Sequence, residues 1–298
     1  LLELHTVGVD GGYDEQDVLE TAYVFSGWSI SGQRVFKFKS GRNRLGPLEN
    51  SGDIMGWKPV DPSKSERNGK SLLWYLSHHP STAKFISWKL CRYFVSDRIA
   101  MDDPLVTQAS QTYLENDTDI SAVLRTILLS TRFTESKGEK VKRPNEYLYA
   151  MLRGTKARLD LSDPEQFGRL CRRLLKKQQH VLFEKEPPTG YSNLASSFIN
   201  TGTLMSRWNL AFALTGNSMG KTFDIDPARW NLGQPATIRQ LVDSLTVMLM
   251  GKRLHIPERD VLYRFLGKSA DSVVTGTDLD QLPALAALVF ASASFQVR

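Results

Sequence analysis

Apolar residues recur every three or four positions along most of the chain after residue 70, which is the spacing of amphipathic helices. The pattern predicts helices over 70–77, 80–96, 103–115, 119–130, 144–154, 163–178, 200–215, 236–250, 257–267 and 279–291. Residues 35–39 alternate instead between apolar and polar, as a half-buried strand does, and we expect them to pair in a hairpin. The predicted fold class is mainly α, a multi-helix, bundle-like domain with one short β-hairpin and a long loop near the N-terminus.

The first 69 residues follow a less regular pattern. Asp14 is placed to cap a helix in which Val18, Ala22 and Phe25 share one face, and Gly27 ends that helix. Residues 40–69 are rich in Gly, Pro, Ser and Asn, a composition that predicts the long loop.

The domain organisation is predicted from the chain length and from one internal similarity. With 298 residues, the chain has room for one large helical domain, 1–298. Residues 90–99 resemble 245–254, which favours two related units, 1–133 and 134–298; chance similarity between amphipathic helices is the alternative. Because Leu1 already has the character of a residue inside a helix, we expect the chain to be the C-terminal part of a longer protein.

The composition narrows the classes of function. The net charge of +6 favours anionic partners, but no recognisable nucleic-acid module accompanies it, so we expect no nucleic-acid partner. The apolar runs are too short to cross a bilayer, and no signal peptide opens the sequence. The two cysteines, Cys91 and Cys171, fall on the apolar sides of predicted helices; we expect buried free thiols, with a disulfide as the alternative.

The first candidate for chemistry is a pair of histidines before a helix. Pro80 favours the first helical position, which makes His79 the N-cap, with Ser81 as the alternative. The helix dipole lowers the pKa of a histidine at this end, and a neutral imidazole can act as a general base or a metal ligand. The structural alternative is that His79 only begins the helix.

A metal site would need ligands from distant segments, because no common metal-binding motif is present. His5 with Asp10 and Asp17 could hold a divalent metal, and Asp53 in the long loop is a further candidate. Turn and capping roles explain the same aspartates. Lys84, in the helix after the histidines, could hold an anionic group in a transition state.

The helix predicted over 163–178 is strongly amphipathic and basic. Its cationic stripe consists of Arg169, Arg172, Arg173, Lys176 and Lys177. The stripe is either a solvated face or a surface for a polyanion or an acidic partner.

A Pro-rich loop, 187–191, precedes the next helix and offers Tyr191 as a binding residue. Arg207, Trp208 and Asn209 lie in that helix. Because a buried arginine needs partners, Arg207 either anchors the loop or forms a pocket for an anionic group.

Taken in order, several segments resemble one bacterial family, the domain-of-unknown-function family numbered 1800. The matching segments are 2–13, 17–18, 26–28, 79–86, 89–90, 142–144, 187–191, 200–202, 207–209 and 294–298. Members usually have a further N-terminal part with its own His- and Trp-containing motif. The chain departs from the family pattern in two places: residues 42–61 lack a typical His-Asp pair, and Phe198 stands where Trp is usual.

The resemblance implies a cellular location and a partner for the protein, but no reaction mechanism. Members are commonly encoded beside a second uncharacterised family that is similar to sulfatases and alkaline phosphatases, and many are predicted to be exported. The resemblance therefore implies a periplasmic or secreted protein that works with a hydrolase-like partner on polymers or sulfated material.

Two functions remain open. The first is an exported accessory module that docks a partner, or an anionic glycan or polymer, through the 169–177 helix and the 187–191 loop. The second is a hydrolase, metal-assisted in one form, with His79 or His5 as the base or ligand. Since no catalytic constellation is visible in the sequence, the binding module is favoured.

Overall fold

The computed structural model describes residues 1–44, 54–61 and 63–298. Within these residues the chain forms fifteen α-helices and two small antiparallel sheets, which confirms the mainly α prediction. The chain divides into two compact units, Leu1–Ser136 (unit 1) and Lys137–Arg298 (unit 2). None of the described helices combines the length and the hydrophobicity that a membrane crossing requires.

The described part of unit 1 contains seven helices and one hairpin. The helices are α1 (Leu2–His5), α2 (Glu15–Phe25), α3 (Glu66–Ser77), α4 (Pro80–Phe94), α5 (Pro104–Glu115), α6 (Ile120–Leu128) and α7 (Thr131–Glu135). Strand β1 (Trp28–Ile30) pairs antiparallel with β2 (Phe36–Phe38), so the predicted hairpin is confirmed. Helix α3 begins inside the segment predicted as a loop, because the Ser65 hydroxyl accepts a hydrogen bond from the Arg67 N–H.

For helix α2, the predicted N-cap is confirmed and the predicted apolar face is wrong. Asp14 and Asp17 form a reciprocal capping box at its start, as the position of Asp14 predicts. The predicted apolar face is wrong: Thr21 and Val24 are buried, whereas Val18 is 49% exposed. Helix α2 packs against α3, and this neighbour determines which face is covered.

Helices α4, α5 and α6 share one core cluster of unit 1. Helix α4 buries small side chains, Ala83, Ser87 and Cys91, which are spaced four residues apart and therefore lie on one face. Small residues on a shared face let a neighbouring helix approach closely. The larger Trp88 is only partly buried at the edge of this cluster.

The described part of unit 2 contains eight helices and a second small sheet. The helices are α8 (Pro144–Gly154), α9 (Pro164–Lys177), α10 (Thr201–Thr215), α11 (Ile238–Met250), α12 (Ile256–Leu266), α13 (Gly276–Asp280), α14 (Leu282–Ala291) and α15 (Ala293–Gln296). Strand β3 (Arg158–Leu159) pairs antiparallel with β4 (Phe223–Asp224). The sequence did not predict this sheet, because two-residue strands far apart in the chain carry no visible alternation.

The core of unit 2 surrounds α14. This helix is apolar on nearly all sides, as is typical of a buried helix. It packs against α10 and α11. Both cysteines are free and buried, Cys91 in unit 1 and Cys171 in unit 2. Burial raises the pKa of the Cys91 thiol to about 12, which leaves that thiol unreactive at neutral pH.

Helix α8 packs closely against α11 at Gly154, and a substitution at this glycine tests the contact. A Cβ at Gly154 would lie 2.5 Å from the carbonyl oxygen of Leu249. Because a backbone carbonyl moves only with its helix, we expect Gly154→Ala to lower the free energy of unfolding by about 2 kcal/mol. Gly168→Ala in α9, where a Cβ meets no atom within 4 Å, should raise it by up to about 1 kcal/mol. Urea denaturation measures both; equal effects would contradict a tight contact at Gly154.

Candidate functional site

The structure places His79 as the N-cap of α4, as predicted. Its Nδ1 accepts a hydrogen bond from the Ser81 N–H at 3.1 Å, and Pro80 is the first helical residue. Partial burial lowers the pKa of His79, so the direction expected from the helix dipole is right and the main cause is desolvation. Lys84 lies exposed on the same helix. The cap explains His79 as a structural residue, and its role as a base stays a prediction.

His78, the first histidine of the predicted pair, makes more side-chain contacts than His79. Its Nε2 lies 2.7 Å from Asp117 Oδ1, and its Nδ1 lies 2.8 Å from the Trp74 carbonyl oxygen. The ring also stacks on Trp74 with centroids 4.2 Å apart. The Asp117 hydrogen bond, with help from the Trp74 carbonyl, raises the pKa of His78. With both ring nitrogens engaged, His78 ties the end of α3 to the loop between α5 and α6.

The predicted metal ligands are either exposed or engaged in hydrogen bonds of the fold. His5 and Asp10 are exposed, and Asp17 is used by the α2 capping box and by the Met55 N–H at 3.0 Å. Among the described residues, no group of three or more His, Cys, Asp or Glu side chains is placed to hold a metal ion. Asp53 lies outside the described residues.

The cations of α9 are exposed, but they differ in whether they are already paired with an acidic side chain. Arg172 binds Glu184 through both Nε and Nη2, and Lys176 lies exposed one turn further on. This ion pair raises the pKa of Arg172 and lowers the pKa of Glu184, mainly through the side-chain hydrogen bond. The side chains of Arg173 and Lys177, by contrast, form no hydrogen bond or ion pair within the described part of the chain.

Two adjoining pockets open along α9, one against α10 and one against residues 218–222, which follow α10. Their volumes are about 480 Å³ and about 410 Å³, within the range of small-molecule sites, and both are lined by Met219. We call them together the basic groove. The groove is lined by Gln166, Arg169, Leu170, Arg173, Leu174, Lys177, Gly202, Met205, Ser206, Asn209, Leu210, Ala213, Ser218, Met219 and Thr222. Since this lining holds three cations and no carboxylate, its local potential is positive.

Of the predicted binding residues, only some reach this groove. Arg173 and Asn209 line it, whereas Arg172, Lys176 and Trp208 do not. The sequence could not identify the groove, because α9 forms one wall, and the other wall, α10 with residues 218–222, comes only after a connection of more than twenty residues.

Arg207 is completely buried and faces the interior of unit 2. Its Nη1 donates to Gln296 Oε1 at 2.9 Å, and its Nη2 donates to the Lys142 carbonyl at 2.7 Å. The guanidinium carbon lies 4.9 Å from the centre of the Tyr147 ring. Burial lowers the pKa of Arg207 to about 10. Two roles were predicted for Arg207, and in the described residues none of its hydrogen bonds supports the first, since none reaches the 187–191 loop. The second, a pocket for an anionic group, stays a prediction.

Lys142 holds the C-terminal segment from the same side. Its Nζ donates to the carbonyls of Phe295 at 2.6 Å and Val297 at 2.5 Å, and lies 4.5 Å from the Phe295 ring centre. Burial, together with the nearby charges of Lys252 and Arg207, lowers the pKa of Lys142 to about 8.

Tyr191 stabilises its own loop. Its hydroxyl donates to the Val181 carbonyl at 2.9 Å and accepts from the Val181 N–H at 3.0 Å. Its ring stacks on His180 with centroids 4.3 Å apart. The hydroxyl of the predicted binding residue is therefore used within the fold.

Three of the segments that resemble a known family meet in this part of unit 2. Arg207 and Lys142 join 142–144, 207–209 and 294–298 by direct hydrogen bonds. In a comparison with known families, residues 1–297 match the family described as protein of unknown function, DUF1800. The chain belongs to the DUF1800 family. No curated protein and no solved structure matches it.

The contact of His78 with Asp117 predicts a pH-dependent stability of this DUF1800 chain. Because the folded pKa of His78 is raised, its contribution is complete below pH 6.5 and is lost as the pH rises through the folded pKa. Asp117→Asn should therefore lower the melting temperature more at pH 5.5 than at pH 9. Asp102→Asn, which removes another exposed carboxylate of unit 1, is the control. A loss of equal size at both pH values for Asp117→Asn would contradict this role.

The lowered pKa of Lys142 predicts that its effect on stability changes with pH in the opposite direction to that of His78. Its pKa falls from 10.5 to about 8 on folding, so between these values the unfolded chain binds more protons and stability rises with pH. Lys142→Met and Lys142→Arg do not titrate in this window. We expect wild type to gain about 1–2 kcal/mol relative to either variant between pH 7 and pH 10, measured by urea denaturation. A constant difference would show that the Lys142 amine has an ordinary pKa.

Proposed function

We propose that this DUF1800 protein is a binding module that holds an anionic polymer in the basic groove. The observation that carries the proposal is the charge of the lining: Arg169, Arg173 and Lys177 contribute cations, and no lining residue contributes a carboxylate. Arg169 pairs with Glu165 at 3.0 Å, but Arg173 and Lys177 have no such partner in the described chain. A ligand anion can therefore bind them without breaking an existing ion pair.

The spacing of these cations suits a repeating ligand. Arg169, Arg173 and Lys177 are four residues apart on α9, so they lie on one face with a rise of about 6 Å between neighbours. A linear chain that carries a carboxylate or sulfate on each repeat presents anions at a comparable interval. A lone small anion would use only one of the three cations.

The family context supports an accessory role for the module. On this proposal the protein is periplasmic or secreted, and the groove holds the polymer beside a hydrolase-like partner of the sulfatase and alkaline-phosphatase type. The alternative, a hydrolase with His79 or His5 as the base or as ligand to a divalent metal, has less support, because the Nδ1 of His79 is already engaged by the α4 cap.

Two matched double variants test the groove. Arg173→Gln with Lys177→Gln removes two groove cations, and Arg172→Gln with Lys176→Gln removes two cations of α9 outside the groove lining. We expect the first to weaken binding of dextran sulfate at least tenfold, since each lost contact costs about 1 kcal/mol, and the second to change it less than threefold. Isothermal titration calorimetry at physiological ionic strength measures both.

Because both double variants lose the same net charge, non-specific attraction would weaken them equally. Equal losses, or no loss in either, would refute the groove as the binding site. The melting temperature of each variant, measured without ligand, separates a loss of binding from a loss of fold.

A further inference from the structure

An apolar stripe runs along α10 beside the basic groove. Met205, Trp208 and Phe212 are 54%, 43% and 48% exposed, respectively. Their spacings of three and four residues place them on one face of the helix. Met205 also lines the groove, so the stripe continues directly from the groove wall. Large exposed aromatic side chains beside a charged groove are typical of a binding surface.

The groove also offers neutral polar groups that have no partner. The side chains of Gln166, Ser206, Asn209 and Ser218 line it and make no hydrogen bond within the described residues. Amide and hydroxyl groups pair well with ligand hydroxyls. The surface therefore combines three chemical features: cations, free amide and hydroxyl groups, and two aromatic rings.

This combination fits an acidic sugar chain better than other polyanions. Sugars present hydroxyl groups at their edges and C–H faces that pack on aromatic rings, whereas polyphosphate offers neither. A nucleic-acid groove usually concentrates more cations than three.

We infer that the ligand of the basic groove is an acidic polysaccharide, whose anionic groups bind Arg173 and Lys177 and whose sugar rings pack on Trp208 and Phe212. This inference rests on the proposed function and names its ligand class. Trp208 and Phe212 are four residues apart, so their rings are offset by about 6 Å along α10. The offset is close to the advance of one sugar residue, so neighbouring sugars can contact both rings.

Calorimetric titration with four probes tests the ligand class. The probes are a galacturonate hexamer, a sulfated hexasaccharide, polyphosphate of matched charge and a single-stranded oligothymidylate. Trp208→Ala and Phe212→Ala are compared with wild type and with Trp74→Ala, which removes an exposed tryptophan of unit 1. We expect Trp208→Ala to weaken at least one sugar probe tenfold or more and polyphosphate less than threefold, with a smaller effect from Phe212→Ala. Trp74→Ala should change none.

The outcomes separate this inference from the proposed function. If polyphosphate binds as tightly as both sugars and Trp208→Ala affects none of them, the sugar assignment fails and the anionic groove stands. Tighter, Trp208-dependent binding of the oligothymidylate would replace the sugar with a nucleic acid. If no probe binds, or if Arg173→Gln with Lys177→Gln leaves all binding unchanged, both proposals fail.

Discussion

The burial of one charged side chain determines how unit 2 is assembled. The Arg207 guanidinium is completely removed from water, and such burial is unfavourable unless its N–H groups find acceptors. The Gln296 amide oxygen and the Lys142 carbonyl supply acceptors for Nη1 and Nη2, whereas Nε has no hydrogen-bond partner among the described residues. Because these acceptors belong to the C-terminal segment and to the residues before α8, helix α10 must lie between them. The Tyr147 hydroxyl adds a bond to the Phe290 carbonyl at 3.1 Å and closes the same region.

The inward contacts of α10 also position its outward face. Arg207 and Asn209 are two residues apart, so they point to different sides of the helix. Arg207 fixes the inner side, and Asn209 lines the basic groove on the other. Helix α9 is held in a similar way, with Leu170 and Leu174 nearly buried in the core while its cations stay in solvent. The groove is thus a consequence of two amphipathic helices whose apolar faces are anchored in one core.

In unit 1, local surroundings give two adjacent histidines different roles. His78 and His79 are adjacent, yet their surroundings shift their pKa values in opposite directions. The Asp117 hydrogen bond raises the pKa of His78, and burial lowers the pKa of His79. One imidazole therefore favours the charged form and ties α3 to a loop, whereas the other stays neutral and accepts a hydrogen bond at the start of α4.

The amino-acid sequence by itself determined the features that depend on neighbours a few residues away. The helical period, the Asp14 and His79 caps, the hairpin and the amphipathic character of α9 are of this kind, since capping and periodicity act over a few residues. Tertiary structure alone decided the pairing of Arg172, because Glu184 lies outside the helix, whereas Arg169 pairs with Glu165 one turn away on α9 itself. It also decided the partners of Arg207 and the pairing of His78 with Asp117. Such contacts join residues 12 to 89 positions apart, and they are selected by burial and charge after the helices have packed.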